Sequence, residues 1–251
     1  PGHGGAGTGA RDLIAAVPDV IEFNGGGLAV IWAEENSRES LFLAMRRREA
    51  YATSGPRILL RFFGGWEYPA TLCEANGEAF ATAGYADGVP MGGTLSARPS
   101  AGGAPTFAIS ALRDAGDAQD PATPLQRLQV IKGFTDDLGV PQTVIYEVAG
   151  DATNGASVDV TTCEQSGTGF DSLCTVWTDP DFDPAVPAYY YVRAVENPSC
   201  RWSTRVCNDA GVDCDVPATI TTGFETCCRD TIAPVIQERA WSSPIWYLPG
   251  S

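Results

Sequence analysis

The stretch Arg57-Ile58-Leu59-Leu60-Arg61-Phe62-Phe63, closed by Gly64-Gly65, decides the fold, because here the apolar pattern leaves the helical period and takes a period of two. From this point the chain reads as β-rich. Further strands are predicted over Thr106 to Leu112, Leu125 to Lys132, Thr143 to Val148, Leu173 to Trp177, Ala188 to Val195 and Ile245 to Tyr247. Between them lie clusters of Gly, Pro, Asp and Ser, with no second long amphipathic helix, which is the pattern of an antiparallel β-sandwich. In Ala188 to Val195, Tyr190, Val192 and Ala194 alternate with Tyr189, Tyr191 and Arg193, so one face is wholly apolar or aromatic and the other mixed.

Working back towards the amino terminus, Gly27-Leu28-Ala29-Val30-Ile31-Trp32-Ala33 has the unbroken apolar character of a strand buried on both faces. A helix is expected to follow. Asn36 is placed to cap it, Glu39 stands three residues later, and Leu41, Phe42 and Met45 form an apolar face. Arg46, Arg47 and Arg48 suit the negative end of its dipole, and Thr53-Ser54-Gly55-Pro56 is expected to stop it. Strand, helix and turn together make a β-α unit, the building block of parallel sheets and barrels. The chain therefore divides into residues 1–56, a linker and a terminal β-α unit, and residues 57–251, a disulfide-bonded sandwich. The opening Pro1-Gly2-His3-Gly4-Gly5-Ala6-Gly7-Thr8-Gly9 reads as a flexible linker continuing a longer polypeptide; a phosphate-cradling loop would follow a strand.

Sixteen Lys and Arg stand against 31 Asp and Glu, a net charge of −15, which repels phosphate backbones and excludes nucleic acid as a partner. Self-association is left open. Lys132 is the single lysine. The eight cysteines, Cys73, Cys163, Cys174, Cys200, Cys207, Cys214, Cys227 and Cys228, lack the paired C-x-x-C spacing of a zinc site and read as disulfides. Adjacent Cys227 and Cys228 need different partners, and Cys163 with Cys174 is the favoured pair, closing a loop around Gly167 and Gly169. Disulfides place the protein in the periplasm or outside the cell. No apolar run approaches the roughly 20 residues that cross a bilayer, so no membrane span is expected.

Several ordered segments carry a family resemblance. They are Ala33-Glu34-Glu35-Asn36-Ser37-Arg38-Glu39, Tyr51-Ala52-Thr53-Ser54-Gly55-Pro56-Arg57, Phe62-Phe63-Gly64-Gly65-Trp66 and Val89-Pro90-Met91-Gly92-Gly93. Further on come Leu128-Gln129-Val130-Ile131-Lys132-Gly133, Trp177-Thr178-Asp179-Pro180-Asp181-Phe182-Asp183-Pro184 and Tyr190-Tyr191-Val192-Arg193. The last are Glu196-Asn197-Pro198-Ser199-Cys200-Arg201-Trp202-Ser203 and Glu238-Arg239-Ala240-Trp241-Ser242-Ser243-Pro244-Ile245-Trp246-Tyr247. Together they resemble the carboxy-terminal part of the secreted family termed domain of unknown function 3604, a branch of the polymerase-and-histidinol-phosphatase (PHP) superfamily.

The resemblance implies that the β-α unit is the last of a PHP-like α/β barrel in an amino-terminal half. That half would hold two or three divalent metals (zinc, manganese or iron) and hydrolyse a small-molecule phosphoester or related ester. The chain has one histidine, His3, so the metal site is expected in the amino-terminal half and this chain alone is expected to be inactive. The rival reading is a non-catalytic extracellular binding or assembly module.

Glu34 and Glu35 follow a strand of barrel type and are the candidate catalytic residues, since the carboxyl ends of barrel strands carry the chemistry. His3 and Asn36 are the candidate substrate-binding residues, although a loop histidine and a helix cap explain them without a substrate. Asp179, Asp181 and Asp183 share the D-x-D-x-D opening of a calcium loop, but Pro184 occupies its sixth position and Tyr190 its twelfth, so a solvated Asp-Pro turn before a strand is the preferred reading and calcium the alternative. Ser54 lacks the surroundings of a nucleophile elbow. Trp202, Trp241, Trp246 and Tyr189 to Tyr191 are assigned to the core.

Overall fold

A computed structural model describes residues 26–75, 77–117, 122–229 and 233–250. The chain runs through β1 (Leu28–Ile31), α1 (Arg38–Arg47), β2 (Ala50–Thr53), β3 (Leu59–Gly65), a 3-10 turn (Ala70–Glu74), α2 (Gly77–Ala86) and β4 (Gly88–Pro90). Next come β5 (Thr106–Leu112), β6 (Leu125–Thr135), β7 (Pro141–Gly150), β8 (Ser157–Val158), β9 (Gln165–Ser166), β10 (Ser172–Thr178) and β11 (Ala188–Glu196). The last third holds β12 (Ser199–Cys200), α3 (Trp202–Asp209), β13 (Val235–Ile236), β14 (Arg239–Ser242) and β15 (Ile245–Tyr247).

Two antiparallel sheets stack face to face. The larger has the order β1-β2-β14-β11-β6-β7, with β15 also paired to β11; the smaller has the order β10-β5-β3-β4. Alternation in β11 sends Tyr190, Val192 and Ala194 inward, where they meet Leu60, Phe62, Phe107 and Ile109 of the smaller sheet. The Phe107 and Tyr190 rings lie 4.6 Å apart, joining the two sheets. On the outer side of the smaller sheet, Phe63 and Ala108 pack against Phe80 of α2 and Leu72 of the 3-10 turn. The sheet is thus covered on both faces at Phe62-Phe63 of β3 and Phe107-Ala108-Ile109 of β5, where consecutive residues are buried.

The β-rich reading and the antiparallel sheets are as the sequence predicts; the parallel β-α unit is not. β1 and β2 are antiparallel neighbours, Leu28 opposite Thr53 and Ile31 opposite Ala50, at the edge of the larger sheet. Among the described residues no barrel closes. As an edge strand, β1 is exposed to half-buried rather than covered on both faces.

Helix α1 starts one residue later than the Asn36 cap implies: the Ser37 side chain accepts from the Ser40 N–H at 3.2 Å. It also ends earlier. Arg48 takes a left-handed conformation (φ 60°), and its guanidinium donates to the Gly92 carbonyl at 2.9 and 3.1 Å. Residues 50–53 are thereby released to form β2. The apolar face of α1 stays uncovered, with Phe42 53 % and Met45 50 % exposed.

Helix α2 is a second ten-residue helix that periodicity did not reveal, because GEAFATAGYA has little polar contrast around its circumference. The eight cysteines form four disulfides: Cys73–Cys174, Cys163–Cys200, Cys207–Cys227 and Cys214–Cys228. The favoured Cys163–Cys174 pair is therefore wrong. β10 carries Cys174 onto the smaller sheet beside the 3-10 turn of Cys73, whereas Cys163 follows β8 and meets β12.

Candidate functional site

At the carboxyl end of β1 the chain opens onto a cleft of about 630 Å³. Trp32 fixes its floor. The Trp32 backbone N–H donates to the Glu49 carbonyl at 3.0 Å, and its indole N–H donates to the Leu60 carbonyl at 3.0 Å, tying β1 to β3. Arg61 leaves β3 on the solvent side of that alternating strand and lays its guanidinium 3.3 Å from the centre of the Trp32 ring. Such stacking holds an arginine in place while leaving its edge free to donate.

Three further residues complete the wall. Tyr85, near the end of α2, stands edge-on to Phe63 with ring centres 5.0 Å apart. Its hydroxyl donates to Glu49 Oε1 and accepts from Arg61 Nη1 at 3.1 Å. Glu49 is only 3 % exposed, and its second oxygen lies 3.5 Å from Arg47 Nη2 at the end of α1. Arg61, Tyr85, Glu49 and Arg47 therefore form one chain of polar contacts. Burial raises the pKa of the Tyr85 hydroxyl, the Glu49 hydrogen bond and charge raise it further, and Arg61 opposes them. The phenol stays protonated and serves as a donor at neutral pH.

Of the sequence candidates, Glu34 lines this cleft. Glu35 and Asn36 lie beside it on the exposed turn before α1, outside the lining, with the Glu35 N–H donating to Ser40 Oγ at 3.3 Å. His3 falls outside the described residues. Arg47, Glu49, Arg61 and Tyr85 were missed as site residues. Arg47 has an ordinary reading as a dipole-matched helix end, and Tyr85 belongs to the unrecognised α2. The available signal was the placing of charged Glu49 and Arg61 beside otherwise apolar strand residues.

The three aspartates of the D-x-D-x-D run do not come together. Asp179 is 1 % exposed and accepts from Lys132 Nζ at 2.6 Å, the Tyr190 hydroxyl at 2.7 Å and the Asp181 N–H at 2.9 Å. Asp181 accepts from the Tyr146 hydroxyl, and Asp183 from the Ala185 N–H. The Lys132 ammonium is the cation of this group. Of the aromatic residues assigned to the core, Tyr190 is fully buried, while Trp246 is 38 % exposed and pairs with Tyr189 across the outer face. Among the described residues, no three His, Cys, Asp or Glu side chains gather as metal ligands.

What the cleft can do follows from its donors. Two guanidinium groups, Arg47 and Arg61, and two carboxyl groups, Glu34 and Glu49, line it, and the guanidinium N–H groups not held by Glu49 and Tyr85 can donate to an oxyanion. The Glu34 carboxylate stands at the same opening.

The model of the family described as a protein of unknown function (DUF3604) matches residues 10–249, so the chain belongs to that family. No curated protein and no solved structure matches it.

Proposed function

We propose that this member of the family is the carboxy-terminal portion of a secreted PHP-type hydrolase that cleaves phosphoester or related ester-type bonds with divalent metals. On this reading the cleft at the end of β1 receives the anionic group of the substrate. The observation that carries the reading is the pair Arg47 and Arg61, held on one wall through Glu49 and Tyr85. Arginine edges of this kind suit a phosphate oxygen pair, and Glu34 at the opening is positioned to contact the substrate or a water beside it.

The metals would be held by side chains outside the described residues, in the amino-terminal half of the same protein. The uncovered apolar residues Phe42, Leu43 and Met45 of α1 supply a surface on which that half can pack. Four disulfides are consistent with an extracellular or periplasmic setting, and no described helix is long and apolar enough to cross a membrane.

The test is hydrolysis of bis(p-nitrophenyl) phosphate by the protein joined to its amino-terminal half, with manganese and after chelation. Activity is expected to vanish on chelation. Arg61→Ala and Arg47→Ala should each raise KM about tenfold, the worth of one charge-assisted hydrogen bond. Residues 1–251 alone should show no turnover. Unchanged KM in both variants, or turnover that survives chelation, would remove the proposal.

A further inference from the structure

Where β11 ends and β14 begins, the carboxyl groups of buried Glu196 and half-buried Glu238 stand in the lining of a second pocket, of about 360 Å³. Glu196 closes β11 and is 2 % exposed; Glu238 directly precedes β14, and its carbonyl accepts from the Glu196 N–H at 2.9 Å. Oε1 of Glu196 and Oε2 of Glu238 are both buried and have no hydrogen-bond partner, the Ser54 side chain being the partner of the Glu238 carboxyl otherwise. Buried carboxyl oxygens in a folded protein are ordinarily satisfied, so two orphaned acceptors on one pocket wall call for donors from outside the chain.

The chemistry of the walls selects the ligand. The unsatisfied atoms are carboxyl oxygens, which an anion has no donor to satisfy, and carboxyl groups (Asp114, Glu196 and Glu238) outnumber the guanidinium groups of Arg57 and Arg205 in the lining. A metal ion lacks a converging set of three ligands among the described residues. What remains is a donor-rich positive group. The indole of Trp202, on the same wall, offers an apolar surface for a short aliphatic stem.

We propose that this pocket binds a small organic cation, a primary ammonium or a guanidinium, whose N–H groups satisfy Glu196 and Glu238. Burial, with the negative charge of Glu238 and Asp114, raises the Glu196 pKa to about 8 against the opposing pull of Arg113. Glu196 is thus mostly protonated at pH 7, and an arriving cation drives that proton off.

Calorimetric titration with agmatine at pH 7, in phosphate and in Tris buffer, tests this, because the difference in heat counts protons. Binding is expected with release of about one proton, given the raised carboxyl. The uncharged 1,4-butanediol should give no heat. Glu196→Gln, an amide in place of a neutral acid, should keep the fold at pH 7, lose the proton release and bind agmatine at least about tenfold more weakly. Should that variant fail to fold, the proton count of the wild type decides alone. Absence of binding at millimolar agmatine, binding without proton release, equal affinity in Glu196→Gln, or an equal response to butanediol would each overturn the assignment.

Discussion

The Nζ of Lys132, the chain's single lysine, lies 2.6 Å from Oδ2 of Asp179, and the Tyr190 hydroxyl donates to that same oxygen at 2.7 Å. Lys132 comes from β6 and Tyr190 from β11 of the larger sheet, whereas Asp179 directly follows β10 of the smaller one. An ion pair with side chains 6 % and 0 % exposed therefore links the two sheets within the sandwich.

Removing the cation should leave a buried carboxylate with only neutral donors. Lys132→Met is expected to lower stability by roughly 3–5 kcal/mol, and a Lys132→Met, Asp179→Leu double variant by clearly less, since no charge is then stranded. Urea unfolding midpoints of wild type and both variants check this. A single variant as stable as wild type would show that the pair does not restrain the sandwich.

The Cys73–Cys174 disulfide ties the 3-10 turn to β10 across a sequence separation of 101 residues. Replacing both cysteines with serine should destabilise the fold by roughly 2–5 kcal/mol, chiefly by freeing the unfolded chain. Thermal unfolding of the double variant, with the other three bridges verified by mass, provides the measurement.

Stability should fall as pH rises between about 4.5 and about 8, because Glu196 has its ordinary value of 4.5 unfolded and about 8 folded. In that window the folded state binds the extra proton, so the slope is downward, at most about 1.4 kcal/mol per pH unit for one group. Half-buried Glu238, also shifted upward, acts in the same direction. Asp114, Asp136, Asp151 and Asp159 are shifted downward, and their effect lies in more acidic solution. Urea unfolding at pH 5, 6.5 and 8 should show a shallower decline for Glu196→Gln than for wild type. Parallel declines would mean that Glu196 titrates normally.

Gly84 allows α2 to lie directly on the smaller sheet. A Cβ there would come within 2.5 Å of the Phe63 ring, which is 1 % exposed and cannot swing away. Despite the better helix propensity of alanine, Gly84→Ala should destabilise by roughly 1–3 kcal/mol through overpacking. Because Tyr85 adjoins it, the variant should also loosen the Arg61 to Glu49 contacts, raising hydrogen exchange in the Glu49 segment.

Local pattern in the sequence was enough for the strands that alternate or run apolar: β5, β10, β11 and β15 lie within a residue of their predicted bounds. It was enough as well for the disulfide character of the cysteines, since that needs only their number and the absence of metal spacing. Everything that depended on which segments meet was left to the tertiary structure. A β-α-β stretch reads the same whether its second strand returns parallel or antiparallel; the left-handed turn at Arg48, held by the Gly92 carbonyl, sets β2 antiparallel to β1. Glu34 was legible because it ends a strand. Arg47, Glu49, Arg61 and Tyr85 come from α1, the turn after it, β3 and α2, so no spacing along the chain announces them as neighbours. Nor does the D-x-D-x-D run show that its central partner is a lysine 47 positions away. Short-range periodicity records which face of an element is buried, while charge pairing and disulfide choice are long-range contacts that exist only once the sheets have stacked.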